Sequence, residues 1–473
     1  MLSGKSKKYI AVGIIFHLLA VIFSIGFFRH DEQRELLQTV GYQLGFYDSS
    51  YLSFQFHAHL RPWLQPLLYV WCSKIYSIFF DLNPNHLATL FRFVSSLFGI
   101  SSLYVLYKTF EERFQETKND TKNQEYYFFF AATLWFLPFL HARTSNENLC
   151  SSFFIFGLYY LAKKISMRDA FIAGMLLGIS FILRFQMIVM ISTSVLWFLF
   201  FRKYSIKNLL VLIFGFLLAG AISTALDSHY YGQFTFTPYN YFNVNIIQKY
   251  VDQFGSSPWY AYFIQAFKDG VPPLSLFFIF TFLLLWIKFP KSLLTWITLP
   301  FFLVHSLIAH KEFRFIFPMV FFLPMIFTFL IMELNLVVKK SWVILFQVFN
   351  IPLLIYFSLI PASNLMKYYE HLYYKKDLVE KVYVTNQFED YTKFYLKNDI
   401  KYILYTPREI KKLAASDKKV YFFAMNLQER DLILENAQCR IDFSLFPRWL
   451  YNLEILKKRR TFRSWTLVEC SNQ

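Results

Sequence analysis

The residues able to do chemistry in this chain form small charged groups at the ends of long apolar runs. The densest is His310-Lys311-Glu312-Phe313-Arg314-Phe315, set between apolar residues 293–309 and 316–332. Three potential cations and one carboxylate in so short a turn can hold a phosphate through charge-assisted hydrogen bonds. A second group, Asp31-Glu32, follows the first apolar run, and Arg143 and Glu147 share a short connection. A carboxylate that takes the proton of an acceptor hydroxyl, together with cations that stabilise charge on a departing phosphate, is equipment for group transfer from a lipid-linked phosphate. The plainer alternatives are interfacial Lys and Arg anchors around residue 310 and an ordinary charge pair after a span at residue 31. Arg184, between two apolar runs, is costly in lipid and is expected to face the interior or a water-filled cavity. It is either a second phosphate ligand or half of a structural ion pair.

The elements that must position these groups are membrane helices. Of 473 residues 56% are hydrophobic, with 60 Phe and 32 Tyr, and the mean hydropathy is +0.35. Twelve apolar runs occupy most of residues 9–360, which predicts an all-α polytopic membrane protein of about 11 transmembrane helices plus one re-entrant or interfacial segment. The net charge of +17 is spread over short loops and the C-terminal segment, so it reads as a determinant of orientation and not as a nucleic-acid surface. The basic loops 108–125, 163–168, 202–207, 288–291 and 339–340 are mutually consistent as cytoplasmic. That places 143–148, the loops 29–61 and 227–269, the 310–315 turn and everything after 360 on the other face. The parity requires one run not to span, and 62–80 is the suspect. Residues 9–28, preceded by Lys5, Lys7 and Lys8, read as a retained span and not a cleaved signal.

Loop 29–61 carries a helical pattern through Leu36, Leu37, Val40 and Leu44, and loop 227–269, rich in aromatics and amides, reads as an ordered platform. Residues 361–473 are expected to form a small extracytoplasmic α/β domain with strands at 401–405 and 419–423 and basic clusters at Lys375-Lys376, Lys411-Lys412 and 457–460. Residues 1–360 form the other domain. Cys439 and Cys470 share the C-terminal segment and could bond in an oxidising compartment, whereas Cys72 and Cys150 lie in apolar runs. His17, His86 and His305 belong to apolar surroundings and read as packed or interfacial; His57 and His59 could contact an acceptor.

His310-Lys311-Glu312-Phe313-Arg314-Phe315 resembles the HKExRF signature of glycosyltransferase family 22, polytopic GT-C enzymes that use dolichyl-phosphate mannose. Further blocks in the family's order are similar: His30-Asp31-Glu32, Arg61-Pro62-Trp63-Leu64-Gln65-Pro66, Arg143-Thr144-Ser145-Asn146-Glu147, Phe236-Thr237-Pro238-Tyr239-Asn240-Tyr241-Phe242 and Phe254-Gly255-Ser256-Ser257-Pro258-Trp259-Tyr260. The chain departs from the pattern where no Pro separates His30 from Asp31, where Ser257 replaces a His, and where Pro62 replaces a Ser. The resemblance, closest to the mannosyltransferases of GPI assembly, implies an inverting hexosyltransferase. Its donor would be a dolichyl- or polyprenyl-phosphate sugar and its acceptor a lipid-linked glycan, in the endoplasmic reticulum membrane of a eukaryote or the inner membrane of a bacterium. It implies no nucleotide cofactor, and no metal-ligand spacing stands out. On this reading Asp31 is the general base with Glu32 in a supporting role. His310, Lys311, Arg314 and Arg184 bind the donor phosphate, and Arg61, Arg143, Glu147, Tyr239, Asn240 and Glu312 support the site or the acceptor. The rival readings are a transporter or flippase of a lipid-linked anion, for which inverted repeats would be the sign and none is visible, and a structural subunit, which leaves the charged blocks unexplained.

Overall fold

The computed structural model describes residues 2–117, 119–163, 166–375, 379–385, 393–396, 400–415, 419–436, 438–446 and 463–470. They divide into two compact units. The first comprises Met1–Ser24, Leu52–Phe79 and Thr89–Ile360, and the second Ile25–Tyr51, Phe80–Ala88 and Pro361–Gln473. The helical unit thus ends at Ile360, but two segments from the N-terminal part of the chain fall with the C-terminal residues, which the sequence did not indicate.

The first unit is a helical bundle. All twelve apolar runs fall mainly on helix, though not as uniform rods. Among the described residues four helices are long and apolar enough to cross a membrane: Gly4–Phe23, Pro84–Gln115, Ile206–Tyr231 and Lys340–Leu359. Leu274–Lys288 with Leu293–Leu307, and Phe313–Val320 with Leu323–Glu333, are pairs bent by 115° and 50°. The run at 62–80 forms the 14-residue helix Leu64–Ser77, but Ile188–Phe201 is equally short, so length does not single it out. The run at 126–142 breaks into Asp120–Thr133 and Phe136–His141, with Pro138 in the second piece. Asn350 satisfies the backbone at the break: its Oδ1 accepts from Trp135 N at 3.2 Å and its Nδ2 donates to the Thr133 carbonyl. A side chain from a neighbouring helix is what makes broken backbone tolerable where water is absent. Small residues bring two further helices together, since a Cβ on Gly174 of Met167–Leu183 would collide with the Leu212 carbonyl of Ile206–Tyr231.

Two helices set the polar ends of the bundle. Asn146–Ala162, about 25 Å long by its helical rise, carries Glu147 in its first turn and ends at Lys163. Leu293–Leu307, about 22 Å, starts just after Lys291 and leads into the 310–315 turn. At one end Glu147 lies 4.0 Å from Arg314; at the other Lys163 and Lys291 line a common cavity. This grouping matches the one drawn from the charge count.

The second unit holds a five-stranded mixed sheet: β1 Lys381–Val384, β2 Lys401–Leu404, β3 Val420–Asn426, β4 Cys439–Ser444 and β5 Arg463–Cys470, in the order β2-β1-β3-β5-β4. β1 is parallel to β2 and β3; β5 is antiparallel to β3 and β4. The strands expected at 401–405 and 419–423 are β2 and β3. The four-residue β1 and the charged β4 and β5 gave no clear alternating signal. Phe422, Ala424, Ile433 and Val468 form the core. Cys439 and Cys470, opposite one another on β4 and β5, are bonded. The helix Leu365–Tyr374 is tied to the sheet by His371 and Lys375 on Asp442, at 2.8 and 2.5 Å. Burial raises the Asp442 pKa, but those two partners outweigh it and hold the carboxyl below its ordinary range. The N-terminal segment joins this unit through Ile25, whose carbonyl accepts from Ala362 N at 2.9 Å, and through Lys393, 3.0 Å from the Tyr51 ring centre. The basic run 457–460 and Lys376 lie outside the described residues.

Candidate active site

In the helical unit the 310–315 turn leaves the Leu293–Leu307 helix and tightens into a single turn at Phe313–Ile316. Lys311 is buried, at 7% relative exposure. Its Nζ donates to the carbonyls of Ser257, at 2.8 Å, and Ile308. Two of three ammonium protons are so taken, and burial pulls the Lys311 pKa below that of an ordinary lysine. The 254–258 segment also docks on the turn through Ser257 N, which donates to the Ala309 carbonyl at 2.9 Å. Both contacts use the backbone of Ser257, so the Ser found in place of the family's His leaves this docking intact.

Arg314 and Arg184 flank a buried carboxylate. Glu147 Oε1 accepts from Arg184 Nη1 at 2.6 Å, with side chains 3% and 7% exposed. Arg314 Nε lies 4.0 Å from the same oxygen and 2.9 Å from Glu312 Oε2. His310 Nε2 faces Glu312 Oε1 at 3.4 Å. Phe315 supports both guanidinium groups, with their carbons 5.2 Å (Arg184) and 5.5 Å (Arg314) from its centroid. The two alternatives for Arg184 are therefore not exclusive. It is paired with Glu147, yet its Nε and Nη2 are buried with no hydrogen-bond partner among the described residues. A fork with one tine held and two donors presented is an anion-binding geometry.

Arg143 has a different place. It is buried, its Nη2 donates to the Ser24 carbonyl and hydroxyl, and its guanidinium lies over Phe139, so it ties the end of the first helix to the 143–148 connection. Asp227, expected in an external loop, belongs instead to the last turns of Ile206–Tyr231, which continues past the apolar run until Gly232 closes it at φ +72°. Its carboxylate accepts from Trp63 N and Thr237 Oγ1, both at 2.8 Å. That clamp joins the Arg61–Pro66 block to the Phe236–Phe242 block. Around it Tyr231 donates to the Arg61 carbonyl at 2.8 Å, Asn240 donates to the His59 carbonyl at 3.2 Å, and Arg61 lies 5.8 Å over Tyr241. Tyr241 accepts from Gln186, two residues after Arg184, at 3.1 Å. Tyr239 is exposed. Sequence reasoning named the blocks but not Asp227 as their common acceptor, because a carboxylate just past an apolar run gives no sign of its partners.

In the second unit Asp31, half-buried, stands at the head of a π-helical turn, Glu32–Leu37. Glu32 is buried and its Oε1 accepts from Phe28 N at 3.0 Å. Phe28 precedes the turn, so this contact ties Glu32 back to the segment that leads into it. Gln33 is fully buried, and both its amide atoms lack a hydrogen-bond partner among the described residues; nothing in the sequence pointed to it.

A polytopic helical bundle followed by a small mixed-sheet unit is the GT-C architecture. Two solved structures of ArnT from Cupriavidus metallidurans share it: one bound to undecaprenyl phosphate, with TM-score 0.57 and 10% identity over 100% of both chains, and one in the apo state, with TM-score 0.56 and 98% of both covered. At that identity the likeness concerns the fold. Residues 9–395 match the Alg9-like mannosyltransferase family, and the chain belongs to it. It is similar to GPI alpha-1,2-mannosyltransferase 3 of Bos taurus, 27% identical over 63% of this chain and 53% of the relative. GPI mannosyltransferase 3 of Candida albicans is 26% identical over 66% and 61%. The chain spans about half to three fifths of the length of such relatives.

Proposed function

We propose that this protein is an inverting hexosyltransferase that moves a mannose from a polyprenyl- or dolichyl-phosphate carrier to a hydroxyl of a lipid-linked, GPI-type glycan. The acceptor oxygen forms a bond to the sugar's anomeric carbon, the carbon–phosphate-oxygen bond breaks, and the carrier leaves as its phosphate. Asp31 takes the hydroxyl proton; the buried donors of Arg184, the third proton of Lys311, and Arg314 with His310 neutralise the leaving phosphate. Family membership and the names of the relatives support the sugar and acceptor class, and a lipid phosphate bound to a protein of the same fold supports the carrier. The observation that carries the reading is Arg184, buried, held by Glu147 on one side and presenting two unpartnered N–H groups among the described residues. The test is incubation of purified protein with labelled polyprenyl-phosphate mannose and a panel of mannosylated lipid acceptors. An α-linked labelled product supports the proposal. Carrier movement across a vesicle bilayer without any product would favour the transporter reading instead.

A further inference from the structure

The opposite end of the helical unit holds a second polar site that the transfer reaction does not use. A cavity of about 710 Å³ opens where the C-terminal ends of Pro84–Gln115, Asn146–Ala162, Ile188–Phe201, Leu274–Lys288 and Leu323–Glu333 meet the start of Leu293–Leu307. Six basic side chains line it, Lys108, Arg113, Lys163, Arg202, Lys288 and Lys291, against the three carboxylates Glu111, Glu112 and Glu333. Lys108 pairs with Glu111 and Arg113 with Glu333, both at 2.7 Å. Among the described residues the remaining four cations pair with no carboxylate, and all four are exposed. The turn that carries Lys291 is fixed by Trp197, whose Nε1 donates to the Lys291 carbonyl at 2.8 Å.

We propose that this cavity binds the headgroup of an anionic glycerophospholipid. Four cations without a carboxylate partner among the described residues, one of them, Lys163, resting over the rings of Tyr159 and Tyr160, repel one another around one space, and a bound anion removes that repulsion. The walls favour a lipid over a soluble anion, because Phe198, Phe201, Phe289 and Phe329 share the lining with the cations. Beside it, Phe200, at 68% exposure, and Ile287, at 73%, present apolar surface outward where acyl chains would lie. The depth also fits. The helices Asn146–Ala162 and Leu293–Leu307 separate this cavity from the Glu147–Arg184–Lys311 cluster by about 22–25 Å, close to the ~30 Å of a hydrocarbon core. If the cluster is at the headgroups of one leaflet, the cavity is at those of the other, where a basic pocket between helices recognises anionic lipid.

The test needs no transferase activity. Purified full-length protein is taken from mixed micelles of phosphatidylcholine and phosphatidylserine, and retained lipid is counted by native mass spectrometry across a titration. We expect retention of phosphatidylserine over phosphatidylcholine. Lys288→Ala/Lys291→Ala removes two exposed cations and should weaken retention about 30-fold, at the usual contribution of a basic side chain beside an anionic headgroup. Lys7→Ala/Lys8→Ala, which removes equal charge outside the cavity, should leave retention unchanged. Equal retention by the 288/291 variant, or equal loss in the 7/8 control, would overturn the proposal. So would displacement of the lipid by inorganic phosphate, which would mark a soluble-anion site.

Discussion

Glu147 is the point at which stability and donor binding separate. Its carboxylate is 3% exposed, contacts Arg184 at 2.6 Å and has Arg314 at 4.0 Å. Glu147→Ala leaves the buried Arg184 guanidinium without its carboxylate in a poorly hydrated place, while Arg314 keeps Glu312. Removing one partner of a buried pair costs about 3–5 kcal/mol. Glu312→Ala gives the contrast: that carboxylate also holds Arg314, at 2.9 Å, but is 30% exposed, and solvent screening keeps such a pair to about 1 kcal/mol or less. Replacing both buried members, as Glu147→Leu/Arg184→Leu, should recover most of the loss, because similarly sized apolar residues avoid the burial cost of either charge. SDS-driven unfolding of the purified protein in mixed micelles measures all four proteins on one scale. The reasoning is refuted if Glu147→Ala lies within about 1 kcal/mol of the parent, or if the double variant is no more stable than the single.

Neutralising the cluster's donors should weaken donor binding: Arg184→Gln or Lys311→Met is expected to raise the dissociation constant for a polyprenyl phosphate by about 10- to 150-fold, one charge-assisted contact of 1.5–3 kcal/mol, read by isothermal titration. The same binding should fall with rising pH. Lys311 binds an anion only when protonated, and burial lowers its pKa, so affinity should be kept at low pH and lost as pH rises, with a midpoint under the ~10.4 of an ordinary lysine, and this alkaline limb should vanish in Lys311→Met. An unshifted limb in that variant would contradict the assignment. Reduction of the Cys439–Cys470 bond, which spans 31 residues of sequence, should destabilise the C-terminal unit by about 4 kcal/mol from loop entropy; urea unfolding with and without reductant measures it.

Much of this arrangement was legible in the sequence because membranes impose simple rules. Apolar runs marked the helices, and the basic loops grouped Lys163 with Lys291 away from Glu147, as their cavity and ion-pair contacts bear out. The two cysteines of the C-terminal segment were legible as a pair because no other cysteine shared it. What was hidden depends on tertiary partners. Asp227 looked like a loop acid, yet it is the acceptor that joins Trp63 to Thr237. The break between Thr133 and Trp135 depends on Asn350, more than two hundred residues away. Residues 25–51 fall in the second unit because contacts such as Ile25 with Ala362 are non-local, which no periodicity records.

The central claim is that Asp31 removes the acceptor proton in a transfer from a lipid phosphate, and Asp31→Asn tests it most directly. The half-buried residue heads the Glu32–Leu37 turn, and its neighbour Glu32 is tied back to Phe28 N. The substitution is nearly isosteric, so the protein should insert and bind polyprenyl phosphate as before. Turnover of labelled polyprenyl-phosphate mannose, measured beside donor affinity in the same preparation, should fall about 10²–10⁴-fold with the affinity unchanged. Near-parental turnover in Asp31→Asn would contradict the account.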